Sequence, residues 1–293
     1  MRAPEFAAYV RPAKLYPELW RLGLGLLLIL FCLLGTTTIM LVVLYPIIGP
    51  LNYFGWVMGL SQPDTPAKVL FLLGTFFGMA LGPVLAASAC HFRGPGTLFG
   101  PAGETLRGFF LTLAVLAPLY AVGLGISWMI APPTPNLPLS AWLGWLPLAL
   151  PMVLLQVSAE ELLFRGYLQQ QLAARFAARW VWMGLPALIF AALHYNPQAG
   201  VNAWLIIAVT LGFALIAADL TERTGSLGAA IGLHFANNVF AMLVLSVQGT
   251  ITGLALYLTS YGVGDAGMLP LGLAVDLGML FVIWRLLRAV LTR

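Results

Sequence analysis

The sequence predicts an all-α integral membrane protein, a helical bundle with about eight transmembrane helices. The first supporting observation is composition: of 293 residues, 61% are hydrophobic and 8% are charged, with a mean hydropathy of +0.94. Soluble domains carry about 25% charged residues. The second observation is that apolar stretches of about 20 residues, the length of a membrane-crossing helix, recur along the chain. The third is that Lys and Arg residues are concentrated in every second connection between the apolar stretches.

The predicted spans follow one another along the chain with short connections. They cover residues 19–48, 67–91, 106–131, 141–173, 180–196, 202–220, 226–248 and 269–290. The connections at 49–66 and 131–141 are rich in proline and glycine, which is typical of chain that leaves the hydrocarbon. No A-x-A-like cleavage site follows the first apolar run, so we expect the first span to be retained rather than removed as a signal peptide.

The basic residues predict the orientation of the bundle. Of the 14 Lys and Arg residues, all except Lys68 fall in the N-terminal segment, the even-numbered connections or the C-terminus. With eight spans these positions share one side, and the excess of basic residues marks that side as cytoplasmic. We therefore expect both termini in the cytoplasm. The composition, rich in Ala, Gly and Leu, and the short loops favour a prokaryotic inner membrane. The basic residues form no single patch, so no nucleic-acid partner is expected.

Glycines repeat at helical spacing on two of the predicted spans. Gly74, Gly78 and Gly82 recur every four residues on the second span, and Gly225, Gly228 and Gly232 repeat at helical spacing at the start of the seventh. Small residues at this spacing let a neighbouring helix backbone approach closely. We expect this packing to occur within the chain. The same faces could instead mediate dimerisation, so the sequence leaves the oligomeric state open.

Three charged residues interrupt the fourth span. The stretch from Ser158 to Gln169 reads SAEELLFRGYLQ and contains Glu160, Glu161 and Arg165. A charge well inside a bilayer costs roughly 2.5–3.5 kcal/mol, so these side chains must be paired, hydrated or functional. Glu161 and Arg165 are four residues apart and can form an ion pair on one helix face. Glu160 points about 100° away from that face, which leaves one carboxylate available for chemistry.

Polar side chains occur at comparable depth in later spans. His194 lies in FAALHYNPQ, His234 lies in GLHFANN, and Asn238 follows His234 at i,i+4. At a rise of 1.5 Å per residue from the predicted cytoplasmic ends, Glu160, His194 and His234 lie about 20, 21 and 12 Å along their helices. We therefore expect these groups to meet in one site. The third histidine, His91, lies at the end of the second span, where an interfacial histidine is ordinary.

The motifs that these residues form resemble those of a known family. EELLFR has the form E-E-x-x-x-R, FAALH the form F-x-x-x-H, and HFANN the form H-x-x-x-N. In this order they resemble the CPBP family of intramembrane proteases, which includes the Ras-converting CAAX endoproteases. We expect one membrane domain over residues 1–293. Within it, 1–140 would form a scaffold, 141–248 the protease-like core and 249–293 the C-terminal helix.

The resemblance implies an endopeptidase whose site lies inside the membrane and opens to the cytoplasm. It makes Glu160 the general base for the attacking water and gives His194 a part in holding that water. It also makes His234 and Asn238 the donors to the oxyanion. The residues that would support this site by the same resemblance are Glu161 and Arg165.

Two other interpretations remain open. Members of the family have been called metalloproteases, and Glu160, His194 and His234 could ligate zinc as two histidines and a carboxylate. No H-E-x-x-H helix is present, and if Glu160 were a ligand, only Glu161, which is better placed to pair with Arg165, would remain as base. We therefore favour a protease without a cofactor. The other interpretation is a non-catalytic immunity or scaffold protein whose polar cluster only holds helices together.

The expected partners are the lipid bilayer and a peptide or protein substrate. The resemblance implies cleavage near a C-terminal, lipidated cysteine, or cleavage of small secreted peptides. Nothing in the sequence chooses between these substrates.

Overall fold

The computed structural model describes residues 3–291, which fold mainly into helices. In chain order the α-helices are α1 (Pro4–Val10), α2 (Leu19–Ile48), α3 (Pro50–Met58), α4 (Pro66–His91), α5 (Gly96–Phe99), α6 (Ala102–Ile130), α7 (Leu139–Glu161), α8 (Gln170–Arg175), α9 (Leu185–Ala192), α10 (Ala203–Thr224), α11 (Gly228–Val239) and α12 (Met268–Leu291). Three π-helical segments adjoin them: Leu162–Gln169 after α7, Trp180–Gly184 before α9 and Phe240–Val244 after α11.

Six helical stretches among the described residues are long and apolar enough to cross a membrane. They are Leu19–Ile48, Pro66–His91, Ala102–Ile130, Leu139–Arg175, Pro197–Thr224 and Met268–Leu291. Two shorter apolar helices, Trp180–Ala192 and Gly228–Val244, stand where the fifth and seventh spans are predicted. The predicted multi-pass helical bundle is confirmed. The two shorter helices, however, are only about 20 and 26 Å long, against about 30 Å of bilayer hydrocarbon.

One end of the bundle carries a small sheet, and we call it the sheet end. The strands are β1 (Thr134–Pro135), β2 (Leu245–Gln248) and β3 (Tyr257–Gly262). Their order is β1-β3-β2, with β1 and β3 antiparallel and β2 and β3 parallel. The prediction that the seventh span extends to residue 248 is wrong, because the backbone from residue 245 pairs with β3 instead of continuing the helix.

The opposite end carries α1, and we call it the α1 end. Because successive helices alternate in direction, the described Lys and Arg residues other than Lys68 and Arg165 lie toward this end, in connections or near the ends of helices. Arg165 lies inside the bundle and is 2% exposed. Arg2 and Arg293, which also entered the charge count, lie outside the described residues.

The first helix closes the α1 end. Phe6 packs on Trp182 with ring centroids 5.0 Å apart. Gln170 Nε2 donates a hydrogen bond to the Tyr9 carbonyl at 2.6 Å. Burial raises the pKa of the Tyr9 phenol, so this group stays protonated and donates to the Leu98 carbonyl. α1 is therefore part of the packed core, and it covers α8 and α10 at this end of the bundle.

The repeated glycines mark close helix contacts within the chain, as expected. A Cβ atom at Gly82 would lie 2.8 Å from the Cα of Ile29, so α4 approaches the α2 backbone at this point. A Cβ atom at Gly232 would lie 2.8 Å from the Phe109 carbonyl oxygen, so α11 approaches α6 in the same way. The Gly232 contact holds α11 deep in the bundle, where this helix carries His234.

Candidate active site

The ion pair that the i,i+4 spacing predicts is present and buried. Arg165 Nη1 donates to Glu161 Oε1 at 2.9 Å, and the two side chains are 2% and 0% exposed. Arg165 Nη2 also donates to the Ala214 carbonyl of α10 at 3.1 Å. The guanidinium carbon lies 4.8 Å from the centre of the Phe190 ring. Both charges are thus removed from water but compensated by close partners, which is the condition under which a buried pair persists.

His234 lies between the two adjacent carboxylates. Its Nδ1 is 2.8 Å from Glu161 Oε1, and its Nε2 is 3.4 Å from Glu160 Oε2. The Arg165 guanidinium and the His234 ring thus contact the same carboxylate oxygen, Glu161 Oε1. Nε2 then faces the second carboxylate. These two atoms, Nε2 and Glu160 Oε2, are within ion-pair distance but do not form a hydrogen bond with each other.

Glu160 retains an unused hydrogen-bond acceptor. The side chain is 11% exposed. Its Oε2 is buried and has no hydrogen-bond partner within residues 3–291, and the same holds for Glu161 Oε2. Buried polar atoms are nearly always hydrogen-bonded to protein or ordered water. These two oxygens can therefore accept from a group outside the chain, such as a water molecule.

A π-helical segment fixes the backbone next to the carboxylates. It runs from Leu162 to Gln169, where an uninterrupted α-helix was predicted. Segments with this wider turn are rare and occur often at functional sites. Every residue from 164 to 173 is buried. A Cβ atom at Gly166 would lie 3.1 Å from the Leu98 carbonyl oxygen. The close packing of this segment leaves the Glu161–Arg165 pair little freedom.

Asn238 belongs to a polar network that approaches Glu160 along α7. Its Nδ2 donates to Gln156 Oε1 at 2.8 Å. Its Oδ1 accepts from Asn237 Nδ2 at 3.1 Å, and the Tyr120 hydroxyl donates to Asn237 Oδ1 at 3.3 Å. Gln156 precedes Glu160 by four residues and shares its helix face. Gln156 and Tyr120 were not predicted from the sequence, although the i−4 spacing of Gln156 from Glu160 was a usable signal.

His194 occupies a different environment from the one predicted. α9 ends at Ala192, and His194 follows in a turn with its side chain exposed, not buried within a span. Pro197 disfavours helical backbone just before it. The His194 Nδ1 lies 2.8 Å from the Phe190 carbonyl, and because a carbonyl only accepts, Nδ1 carries the hydrogen and Nε2 of the neutral ring is an acceptor. The Phe190 ring centroid is 4.6 Å from that of His194 and 5.9 Å from that of His234.

The accessible side of the site faces the sheet end. On α11, residues 228–234 are buried whereas residues 235–240 are half-buried. The chain just after α9, residues 192–195, is exposed. Toward the α1 end, by contrast, residues 164–173 are all buried beneath α1 and α5. The site is therefore closed at the α1 end and more open beyond the ends of the two short helices.

The zinc alternative requires Glu160, His194 and His234 to converge on one ion. Among the described residues, no group of three His, Cys, Asp or Glu side chains is arranged to hold a metal ion. Phe190 packs against both histidine rings, whereas only His234 lies beside the carboxylates. The residues as placed do not form the predicted ligand set.

The central segment is similar to a known protein family. Residues 142–240 match the family model described as type II CAAX prenyl endopeptidase, Rce1-like. All the site residues predicted from the sequence lie within this segment, so the resemblance to CAAX proteases is confirmed there. The uncharacterized protein YyaK of Bacillus subtilis is 32% identical over 116 residues, which is 39% of this chain and 38% of that protein. No solved structure matches the chain at a significant level.

Proposed function

We propose that the protein is an intramembrane endopeptidase that hydrolyses a peptide bond with a water activated by Glu160. The observation that carries the proposal is the position of His234 between Glu160 and Glu161, with Glu160 Oε2 unpartnered among the described residues. Other buried atoms within residues 3–291 also lack a partner, but Glu160 Oε2 is the one that lies beside His234 Nε2. A hydrolase needs one such acceptor for its water. The match of residues 142–240 to a CAAX endopeptidase family supports the same activity.

We assign a proton to Nε2 of His234 and none to Glu160, and this assignment defines both roles. With the proton on Nε2, Glu160 is a carboxylate that can accept a proton, and His234 is a cation. The cation offsets the negative charge left after Glu161 pairs with Arg165. The water oxygen then attacks the peptide carbonyl carbon while one water proton passes to Glu160. The C–N bond breaks, and Glu160 returns this proton to the leaving amine, as general acid–base catalysis requires.

The oxyanion that forms during the attack needs hydrogen-bond donors. We assign this role to His234 Nε2–H and to one Nδ2 hydrogen of Asn238. The other Nδ2 hydrogen of Asn238 is donated to Gln156, which orients the amide. Loss of one oxyanion donor typically raises the barrier by about 2.7–4 kcal/mol. His194 has a more peripheral part in this proposal: its acceptor Nε2 binds water or the peptide at the entrance, on the far side of Phe190.

The burial pattern also favours a route for the substrate. We propose that both termini are cytoplasmic, because the basic connections lie at the α1 end, and that the membrane is that of a prokaryotic cell. The resemblance implies a site open to the cytoplasm, but a substrate entering from the α1 end would have to displace α1 and the buried π-helical segment. A segment that arrives from the bilayer, beyond the ends of the short helices α9 and α11, meets the half-buried side of the site first. We therefore propose a membrane-associated peptide or protein substrate that enters laterally.

The first test replaces the proposed base. Glu160→Gln keeps the size of the side chain but removes its ability to accept a proton. We expect cleavage to fall at least about 100-fold, the lower limit for general acid–base catalysis, with normal expression and thermal stability. Quantitative proteomics of membranes from cells that produce the wild type or the variant would identify the substrate as the protein whose cleaved form disappears.

Glu104→Gln provides the matched control. Glu104 is an exposed glutamate at the start of α6, paired with Arg107, and its replacement should leave cleavage unchanged. Wild-type cleavage by Glu160→Gln would show that this residue is not the base. A variant that fails to accumulate or unfolds early would instead favour the non-catalytic scaffold interpretation.

The second test addresses the metal. We propose a metal-free reaction, so cleavage by the purified protein should survive dialysis against a chelator such as 1,10-phenanthroline. Elemental analysis of active protein should find zinc well below one ion per chain. Loss of cleavage that zinc restores, together with stoichiometric zinc, would establish the metalloprotease alternative.

A further inference from the structure

A lipid-facing groove runs between α10 and α12, apart from the candidate active site. The cavity has a volume of about 370 Å³. Its walls are mostly apolar and include Gly212, Leu277 and Phe281, and toward the α1 end it reaches Arg179 and Asp219. The groove thus has an apolar body and a charged end.

The charged end continues into a second cavity. This cavity has a volume of about 350 Å³. It shares Arg179 and Asp219 with the groove and adds Glu222 and Arg223 to its walls. A molecule with an apolar tail and a polar head would fit the two cavities together.

The carboxylates at this end are already compensated. Asp219 Oδ1 accepts from Arg179 Nη2 at 3.1 Å, and its Oδ2 accepts from Arg223 Nε at 3.0 Å and from the Trp284 indole at 2.8 Å. Glu222 Oε2 accepts from both Nε and Nη2 of Arg179, at 3.0 and 2.7 Å. Asp219 and Glu222 therefore act mainly to orient the arginines.

The arginines outnumber these carboxylates. Arg288 Nε lies 3.9 Å from Asp219 Oδ2, so three guanidinium groups lie beside two carboxylates among the described residues. The Arg179 side chain is 56% exposed. Within residues 3–291, Nη1 of Arg179 and both Nη atoms of Arg223 have no hydrogen-bond partner. These N–H groups remain available to an anion.

We propose that the groove binds an anionic glycerophospholipid, with one acyl chain along α10 and α12 and the phosphate on Arg179 and Arg223. Guanidinium groups bind phosphate with paired hydrogen bonds. Basic pockets between transmembrane helices on the cytoplasmic side bind anionic headgroups. Trp284 stands where the apolar wall meets the charged end, and tryptophan is enriched at this level of a membrane. The site shares no residue with the proposed active site and does not depend on the proposed function.

The test compares two lipids on the purified full-length protein by native mass spectrometry. We expect phosphatidylglycerol to be retained in preference to phosphatidylcholine. Arg179→Gln should weaken phosphatidylglycerol binding about fivefold, the typical contribution of one basic residue near anionic lipid. Arg179→Lys should keep most of the preference, because it keeps the charge. Arg107→Gln, which removes a charge at the same end but outside both cavities, should have no effect.

A second variant tests the acyl chain separately from the charge. A Cβ atom at Gly212 would lie 3.3 Å from Leu277 Cδ1, so Gly212→Leu fills the apolar part of the groove. It should reduce phosphatidylglycerol binding while the protein stays monodisperse. Equal retention of both lipids by the wild type, or equal losses in the Arg179→Gln and Arg107→Gln proteins, would overturn the proposal. Full competition by glycerol 1-phosphate would show that the site recognises only a phosphate.

Discussion

Glu160 and Glu161 are neighbours in the chain, yet they belong to two regions of the molecule with different properties. Glu161 lies in the closed region toward the α1 end, where Arg165 and His234 bond it and the following helix is buried. Glu160 borders the region toward the sheet end, where Asn238 is half-buried and His194 is exposed. The closed region, toward the α1 end, thus contains the buried charges that stabilise the fold. The open region, toward the sheet end, contains the groups that contact the substrate in the proposed function.

The largest expected effect comes from breaking the closed region. Glu161→Gln leaves the Arg165 guanidinium, which is 2% exposed, without a compensating charge. Breaking a buried ion pair in this way costs about 3–5 kcal/mol. We expect a large fall in the midpoint of thermal unfolding in detergent and a low yield. Glu104→Gln removes a partner from an exposed pair, and it should change stability by about 1 kcal/mol at most.

The cause of the Glu161→Gln defect can be separated from packing. In the double variant Glu161→Gln with Arg165→Met, no uncompensated cation remains, and an apolar replacement of a buried pair is often tolerated. The double variant should therefore be more stable than Glu161→Gln alone. If it is less stable, the pair stabilises the fold mainly through shape and hydrogen bonds to α10, and the contrast between the two regions is not electrostatic.

The sequence was sufficient for features that depend on composition and local spacing. The alternation of spans follows from apolar length and basic connections, and the structure has helices at each predicted span. The Glu161–Arg165 pair follows from i,i+4 geometry, which a π-helical continuation did not disturb. The tight contacts at Gly82 and Gly232 follow from the small-residue repeats. Each of these features is predicted by a pattern of residues close together in the chain.

Features set by distant residues were not predictable in the same way. The sheet joins residues 134–135 to 257–258, and its pairing of residues 245–248 with β3 shortens the predicted seventh span. No local sequence pattern predicts these pairings. The residue count placed His194 inside a span at the depth of Glu160. A count of residues cannot show that α9 ends at Ala192. Gln156 was overlooked because a lone glutamine in an apolar helix gains meaning only when Asn238 is seen beside it. The charged groove between α10 and α12 likewise depends on a contact between helices far apart in sequence.

A smaller effect would sharpen the description of the open region. Gln156→Met keeps the approximate volume of the side chain but removes the acceptor for Asn238 Nδ2. The loss of one hydrogen bond should lower the free energy of unfolding by about 1 kcal/mol. Because Gln156 acts on the oxyanion only through Asn238, we expect kcat to fall about tenfold, less than the roughly 100- to 1,000-fold loss from removing a donor itself. KM should change little.

A double-mutant cycle tests whether Gln156 acts through Asn238, with cleavage of the substrate identified by membrane proteomics as the readout. Side chains in contact give non-additive effects, whereas independent sites give additive ones. In the Asn238→Ala background, Gln156→Met should therefore cost almost nothing further in kcat. Additive losses would mean that Gln156 influences Glu160 directly along α7, and that the open region is organised around the base and not around the oxyanion.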